Sequence, residues 1–249
     1  MNTVLTAALV AAFLLAAELL GMGLRRHLPQ HHLSAETKDT VKLATGLVAT
    51  MAALLLGLLV SSAKSSYDTT RSTVIQMAAK AALLDRVLSL YGPEAEPLRA
   101  RFHDTIEVVV RQTWSEERDP QHPPPPDTHA GNELYLAIQD LSPHDDVQRG
   151  FKAQAASLVA DLGQLRTLLF AQSVPSISVP LLITLVCWLA VIFFSFSLLA
   201  PPNATATVAL MVSAFSVVGA IFLILELDRP FGGLIAIPSE LLHNVLKLK

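Results

Sequence analysis

Glu18 stands out because it interrupts an apolar stretch that is long enough to cross a membrane. A charge near the centre of a membrane helix costs about 2.5–3.5 kcal/mol on insertion scales, so such a carboxylate needs a partner or a function. Two interpretations stay open. Glu18 either lies near the interface and pairs with Arg25 or Arg26, or it faces the helix bundle or a pore and binds a proton or a cation.

A second charged group, Glu226, Asp228 and Arg229, lies where the last apolar stretch ends. An interfacial stop signal with an internal ion pair explains these residues. In a symmetric oligomer, the same carboxylates would form a ring at a pore mouth that favours cations. Asp68 and Arg71 are spaced as an i, i+3 pair on a predicted helix, and a structural interfacial anchor is the simpler role for them.

Small residues recur along one side of a predicted membrane helix: Gly46, Thr50, Ala53, Gly57 and Ser61. A similar stripe follows on the last apolar stretch: Ala209, Ser213, Ser216 and Ala220. Small faces allow membrane helices to approach closely, so close packing explains both stripes. Around a symmetry axis, the first stripe would instead line a narrow pore.

Other chemistry is poorly supported. The chain has no phosphate-binding loop, no GxSxG, no HExxH and no carboxylates paired at catalytic spacing. The single cysteine, Cys187, excludes an internal disulfide and a cysteine metal site. A net charge of −3 gives no basis for nucleic-acid binding. We therefore expect no enzyme activity, no cofactor, no bound metal and no nucleic-acid partner.

The elements that position these residues are helices. With 52% hydrophobic and 16% charged residues, the composition is that of a membrane protein. Spans are predicted at about 3–24, 42–63, 179–200 and 204–227. The sequence thus predicts an all-α integral membrane protein. Its transmembrane helices form two pairs, 1–63 and 179–227, that flank a soluble helical domain over 64–178 and precede an interfacial segment over 228–249.

A stretch without proline, 41–91, predicts one helix that runs from the second span into the soluble domain. Its apolar spacing after residue 74 matches that of a helix predicted over 143–172, which Ser142 would cap. We expect these helices to pack antiparallel, with a helix over 94–118 closing the bundle. A proline-rich loop over 119–131 and a short helix over 133–141 complete the domain.

The basic residues of the first loop, Arg25, Arg26, Lys38 and Lys42, favour a cytoplasmic loop and a periplasmic domain. Lys64 and Arg166 lie near the membrane on the domain side and oppose this orientation. We expect a multi-pass protein of a bacterial inner membrane, in contact with the lipid bilayer.

Several segments resemble a bacterial family of uncharacterised four-helix membrane proteins that carry a bestrophin-like domain. They include SSAKSSYDTTRS, LLDRVLSLYGPEAEPLR, the stretch from LFAQSVPSISVP to LLAPPNATATVAL, and LILELDRPFGGLIAI. The resemblance implies a distant likeness to bestrophin anion channels, which are pentamers with a pore lined by the second membrane helix. Leu54–Gly57 stand where a bestrophin has an aromatic neck, so anion selectivity is not carried over.

Our first expectation is a homo-oligomeric ion channel. Its pore would be lined by the second membrane helix, through Gly46, Thr50, Ala53, Gly57 and Ser61, and the helical domain would form a vestibule. The alternative is a non-conducting sensor or scaffold whose helical domain binds a ligand or a partner protein.

Overall fold

The computed structural model describes residues 3–27, 29, 34–114, 129–172, 177–201 and 203–246. Within these ranges the regular elements are helices, and no strand occurs. They are α1 (Thr3–His27), α2 (Ala35–Tyr91), α3 (Glu96–Thr113), α4 (His129–Gln139), α5 (Asp146–Gln172), α6 (Val179–Leu199), α7 (Ala204–Leu227) and α8 (Glu240–Leu246). In the described chain, α1, α2, α6 and α7 are long and apolar enough to cross a membrane.

The chain divides into two compact units, which are described separately. The first contains residues 1–65 and 176–228, and the second contains 66–175 and 229–249. Helix α2 contributes its first part to the first unit and the remainder to the second. Each unit is thus built from two separate stretches of sequence.

In the first unit, α1 packs against α6 and α7 through a single apolar side. The buried residues of α1 recur at helical spacing: Thr3, Ala7, Val10, Leu14, Glu18 and Gly21. Gly21 permits a close approach, because a Cβ built on it would lie 2.6 Å from the backbone oxygen of Phe194 on α6. Ala52, Leu59 and Ala63 of α2 belong to the same core.

The connection between α6 and α7 is short and ends in a helix cap. The N–H of Asn203 donates to the Pro201 carbonyl at 2.8 Å, and the Asn203 side chain accepts from the N–H of Ala206 at 2.8 Å. Asparagine is a favoured N-cap because its side-chain oxygen satisfies an N–H that the helix leaves unpaired. Pro202 lies outside the described residues.

In the second unit, α2 and α5 pack antiparallel, as their apolar spacing predicts. Thr73 donates to the Gln172 side chain at 3.2 Å, Lys80 pairs with Asp161, and Gln148 donates to the Tyr91 carbonyl at 2.9 Å. Successive residues along α2 therefore contact residues of decreasing number along α5, which shows that the two helices run in opposite directions. Leu84, Leu88, Phe102 and Leu158 lie in the core that α2 and α5 share with α3.

The end of α2 is set by Gly92, whose φ of 121° is a conformation that glycine adopts readily. A short 3₁₀ turn over Pro93–Ala95 then leads into α3. The predicted helix over 94–118 is too long, because Trp114 already has non-helical backbone angles. Residues 115–118 lie outside the described part of the chain.

Two helices begin earlier than the sequence predicts. Helix α2 starts at Ala35 and not at Val41, because Ser34 caps it by accepting the Thr37 N–H at 3.3 Å. Helix α4 starts at His129, so the predicted loop over 119–131 ends before that residue, and its first part, 119–128, lies outside the described residues.

Helix α5 begins later than predicted, and Ser142 does not cap it. Asp145 takes that role, since its carboxylate accepts the Gln148 N–H at 2.7 Å. The Gln148 side chain in turn accepts the His144 N–H at 2.8 Å, which gives a reciprocal arrangement similar to a capping box. Val147, expected on the apolar face, is 62% exposed.

The segment after α7 completes the core of the second unit. Ile237 and Leu242 are fully buried there, and the Trp114 indole N–H donates to the Ile237 carbonyl at 2.7 Å. The Trp114 ring also meets Phe231 edge to face, with 5.3 Å between the ring centroids. These side chains thus face protein, although an interfacial segment was expected over 228–249.

Candidate functional site

The small residues on the membrane part of α2 lie on a side that the described part of the chain does not cover. The members of this stripe are all exposed: Gly46, Thr50, Ala53, Gly57 and Ser61. The buried side of the same helix is formed by Thr45, Ala52, Leu59 and Ala63. The stripe therefore does not pack against the described residues of its own chain.

The close-packing interpretation expected this stripe to pack against the small residues of α7. In the described chain the two stripes do not pack together. A Cβ added at Gly46, Gly57 or Gly219 would meet no described atom within 4 Å. On α7, Ala209, Ser213 and Ser216 are exposed and Ala220 is half-buried. Close helix approach occurs instead at Gly21 of α1, which pattern reasoning missed because it stands alone.

A third side of α2 is exposed and carries large apolar residues: Leu43, Leu47, Met51, Leu54 and Leu58. At 100° per residue, this leucine side adjoins the small stripe and lies away from the buried side. The Thr50 hydroxyl of the small stripe donates to the Gly46 carbonyl at 3.0 Å. The membrane part of α2 therefore has one buried side, one large apolar side and one small side with hydroxyl groups.

Glu18 lies on the buried side of α1, inside the helix bundle. The residue is 1% exposed, and neither carboxylate oxygen has a hydrogen-bond partner among the described residues. The predicted pairing with Arg25 or Arg26 is thus not formed. The structure agrees with the alternative placement, in which this carboxylate faces the bundle.

The charged group at the end of α7 is only partly accessible. Glu226 is 2% exposed, whereas Asp228 and Arg229 are half-buried. Asp228 is the C-cap of α7, and its backbone N–H donates to the Ile224 carbonyl at 3.2 Å. Asp68 and Arg71 both lie on the exposed side of α2.

A buried ion cluster in the second unit was not predicted. Arg99 on α3 donates to both carboxylate oxygens of Asp85 on α2, at 2.7 and 2.9 Å, and His103 Nε2 lies 2.7 Å from the Asp85 carboxylate. Asp85 stands among Leu84, Val87 and Leu88 in the sequence, and this break in an apolar run was the available signal.

The cluster holds Asp85 in its ionised form. Burial by itself raises the pKa of Asp85, but the hydrogen bonds with Arg99 and His103 and the positive charge of Arg99 outweigh it and leave that pKa below its ordinary value. The same hydrogen bond raises the pKa of Arg99 and so also favours its charged form. The arrangement ties α2 to α3 by charge as well as by apolar packing.

The second unit also has a cavity of about 350 Å³ between α3, α4 and α5. Its wall is mainly apolar, with Phe102, Ile106 and Leu134 among its residues. Arg166 also lines it and donates to the Gln112 side chain at 3.0 Å. This size and lining are those of a small-molecule pocket.

Membrane-length apolar helices, and the absence of strands among the described residues, define an α-helical membrane protein. The chain belongs to the Bestrophin-like domain family, whose sequence model matches residues 12–242. No curated protein and no solved structure matches the chain.

Proposed function

We propose that the chain forms a homo-oligomeric ion channel in which α2 lines the pore and the helical second unit forms a vestibule. The supporting observation is the side of α2 that carries Gly46, Thr50, Ala53, Gly57 and Ser61. This side is exposed in the single chain, yet its residues are small and two of them carry hydroxyl groups, unlike a typical lipid-facing surface. Membership in the Bestrophin-like domain family supports the same class of function.

The chemistry of the two exposed sides of α2 decides which one faces the axis. Leu47, Leu54 and Leu58 are more than half exposed, and large aliphatic side chains suit lipid. Glycine and alanine leave space between helices at an axis, and the Thr50 and Ser61 hydroxyls can contact a hydrated ion. The small side therefore faces the axis, with a pentamer as the stoichiometry that the family resemblance implies.

Carboxylates at the end of α7 would then act at a pore mouth and favour cations. Asp228 suits this role better than Glu226, because Glu226 is 2% exposed in the single chain. The Asp228→Asn variant should therefore reduce cation selectivity. Unchanged selectivity in this variant would exclude a filter at Asp228.

Cysteine accessibility tests the assignment of the two sides of α2. The background is Cys187→Ala, because Cys187 is exposed on α6. Into it we would introduce Gly46→Cys, Ala53→Cys and Gly57→Cys on the small side. The matched controls on the leucine side are Leu47→Cys, Leu54→Cys and Leu58→Cys.

Each variant is reconstituted in planar bilayers and treated with a charged, water-soluble thiol reagent. We expect block of the current from the small side only, because a lipid-facing thiol neither meets the reagent nor narrows the pore. Block only from the leucine side would reverse the assignment. Purified protein that is monomeric or dimeric and carries no current would exclude the channel.

The cavity of the second unit favours a second function, that of a non-conducting sensor or scaffold with a ligand in the helical unit. An apolar fluorescent probe should bind to wild type and lose binding in Ala160→Phe, because Ala160 lines the cavity. Ala153→Phe is the control, since Ala153 is exposed on the same helix but does not line the cavity. Probe binding together with a silent bilayer would favour the sensor.

The same protein would reside in a bacterial inner membrane with the helical unit in the periplasm. The basic first loop, with Arg25 and Arg26, supports this orientation. Ser89→Cys places a thiol at an exposed position of the second unit. In intact cells without an outer-membrane barrier, an impermeant thiol reagent should label it; labelling only after lysis would place the unit in the cytoplasm.

A further inference from the structure

Glu18 is fully enclosed and has no ion or hydrogen-bond partner among the residues that the structure describes. It is 1% exposed, and its two carboxylate oxygens are buried without a partner in the described chain. It occupies the buried side of α1 between Leu14 and Gly21. An ionised carboxylate in such a place is strongly disfavoured, because nothing replaces the water that it has lost.

The helices packed against α1 supply no opposite charge. Helix α6 contains no charged residue, and its one ionisable group, the Cys187 thiol, is exposed. The charged residue of α7 is Glu226, which also carries a carboxylate. The part of α2 in the same core has no charged residue between Lys42 and Lys64.

Glu226 is also remote from Glu18. Gly21, one turn from Glu18, lies against Phe194 and Ser197 near the end of α6, which the short connection joins to the start of α7. Glu226 lies 22 residues beyond that start, or about 33 Å along the helix. On α1 itself, Arg25, Arg26 and His27 follow Glu18 by two turns or more, and Arg25 is about 10 Å farther along the axis.

We propose that Glu18 is a proton-binding site of the membrane bundle and that loss of its proton loosens the contact between α1 and α6 at Gly21. The ligand is the proton itself, bound as the neutral carboxylic acid. Glu18 is 1% exposed, and one turn away Gly21 is in tight contact with Phe194 and Ser197, so water can reach an ionised carboxylate only if the packed helices move apart. Ionisation therefore separates the helices. The site does not depend on whether the protein conducts ions.

Carbodiimide labelling of the full-length protein in its membrane tests protonation directly. A carboxylic acid transfers its proton to a carbodiimide nitrogen while its oxygen bonds to the central carbon, and the acyl group then migrates to nitrogen as a stable adduct. We expect dicyclohexylcarbodiimide, an apolar reagent, to label Glu18, as located by peptide mass spectrometry. The yield should fall as the pH is raised, and Glu18→Gln should remove the adduct.

Asp39 is the internal control, because its side chain is 72% exposed at the start of α2. A water-soluble carbodiimide should label Asp39, and the apolar reagent should not. If sodium ions at constant pH protect Glu18 where choline does not, the site binds a metal cation and the proton proposal is wrong. Absence of an adduct on Glu18 at every pH also contradicts it.

Thermal unfolding of detergent-solubilised protein gives a second, independent measurement. The native state holds a proton on Glu18 that the unfolded chain releases to water, so wild type binds more protons when folded and loses stability as the pH rises. One linked proton changes the unfolding equilibrium by at most about tenfold per pH unit. We expect this loss in wild type and not in Glu18→Gln. If the difference in stability between wild type and Glu18→Gln stays constant from mildly acid to mildly alkaline pH, the proposal is wrong.

Discussion

Replacement of Asp85 by alanine should destabilise the second unit, because it removes the buried carboxylate that Arg99 and His103 contact. The Asp85 side chain is 5% exposed and the Arg99 side chain 19%, and two hydrogen bonds of 2.7 and 2.9 Å join them. Removal of one partner from a buried pair costs about 3–5 kcal/mol, because the other charge stays buried. Arg99 retains some access to water, so we expect about 3 kcal/mol, the lower end of that range.

The assay is thermal unfolding in detergent, followed by the fluorescence of Trp114 in a Trp188→Phe background. Trp114 reports on the second unit because its indole packs on Phe231 and donates to Ile237. For a chain of this size, about 3 kcal/mol lowers the Tm by about 6–12 °C. Asp161→Ala is the matched control. Its pair with Lys80 is more than a third exposed on both sides, and such pairs contribute about 0–1 kcal/mol.

Two further measurements decide whether the buried charge is the cause. The double variant Asp85→Leu, Arg99→Met should be more stable than Asp85→Ala, because no charge is left buried. Since the pKa of Asp85 lies below its ordinary value, its stabilisation is present above that ordinary value and lost as the pH falls through the lowered one. An Asp85→Ala protein as stable as Asp161→Ala, or a double variant as unstable as the single one, would refute the reasoning.

Further predictions concern packing. Gly21→Ala should cost about 1–3 kcal/mol, because its Cβ would meet the Phe194 backbone, whereas Gly23→Ala, with open space around it, should not lower the Tm. Trp114→Phe should cost about 1 kcal/mol through loss of the bond to the Ile237 carbonyl and should expose the segment after α7 to protease. Tyr91→Phe should match or exceed wild type by up to about 1 kcal/mol, because the hydroxyl it removes is buried without a partner in the described chain. Unchanged proteolysis in the second variant, or a lower Tm in the third, would contradict these assignments.

The helices could be predicted from sequence because their signals are local. Long apolar runs indicated α1, α2, α6 and α7, the absence of proline over 41–91 indicated that α2 is continuous, and apolar spacing predicted the antiparallel pairing of α2 with α5. The start of α5 could not be located because Ser142 and Asp145 are both good caps. The choice between them depends on Gln148, whose side chain bonds both to the His144 N–H and to the Tyr91 carbonyl on α2.

The candidate site was predicted by residue type but not by contact. A stripe of small residues on α2 has the same pattern whether it packs on a neighbour or stays uncovered, so only coordinates distinguish the two cases. The same limit applied to Glu18, since helical spacing assigns a side to a residue but does not say what lies opposite. Asp85 was missed for a related reason: its partners lie on α3, at positions that no pattern on α2 can reveal.

The discontinuity of the second unit constrains when that unit can fold during synthesis. Ile237 and Leu242 fill its core, yet they are synthesised after α6 and α7. Domains generally fold as units while the chain emerges from the ribosome. Residues 66–175 therefore wait, with an unfilled core and an unpaired Trp114, until both later apolar helices have been made. A chain stopped after α7 would carry α1, α2, α6 and α7 and would still lack the side chains that complete the core of the second unit.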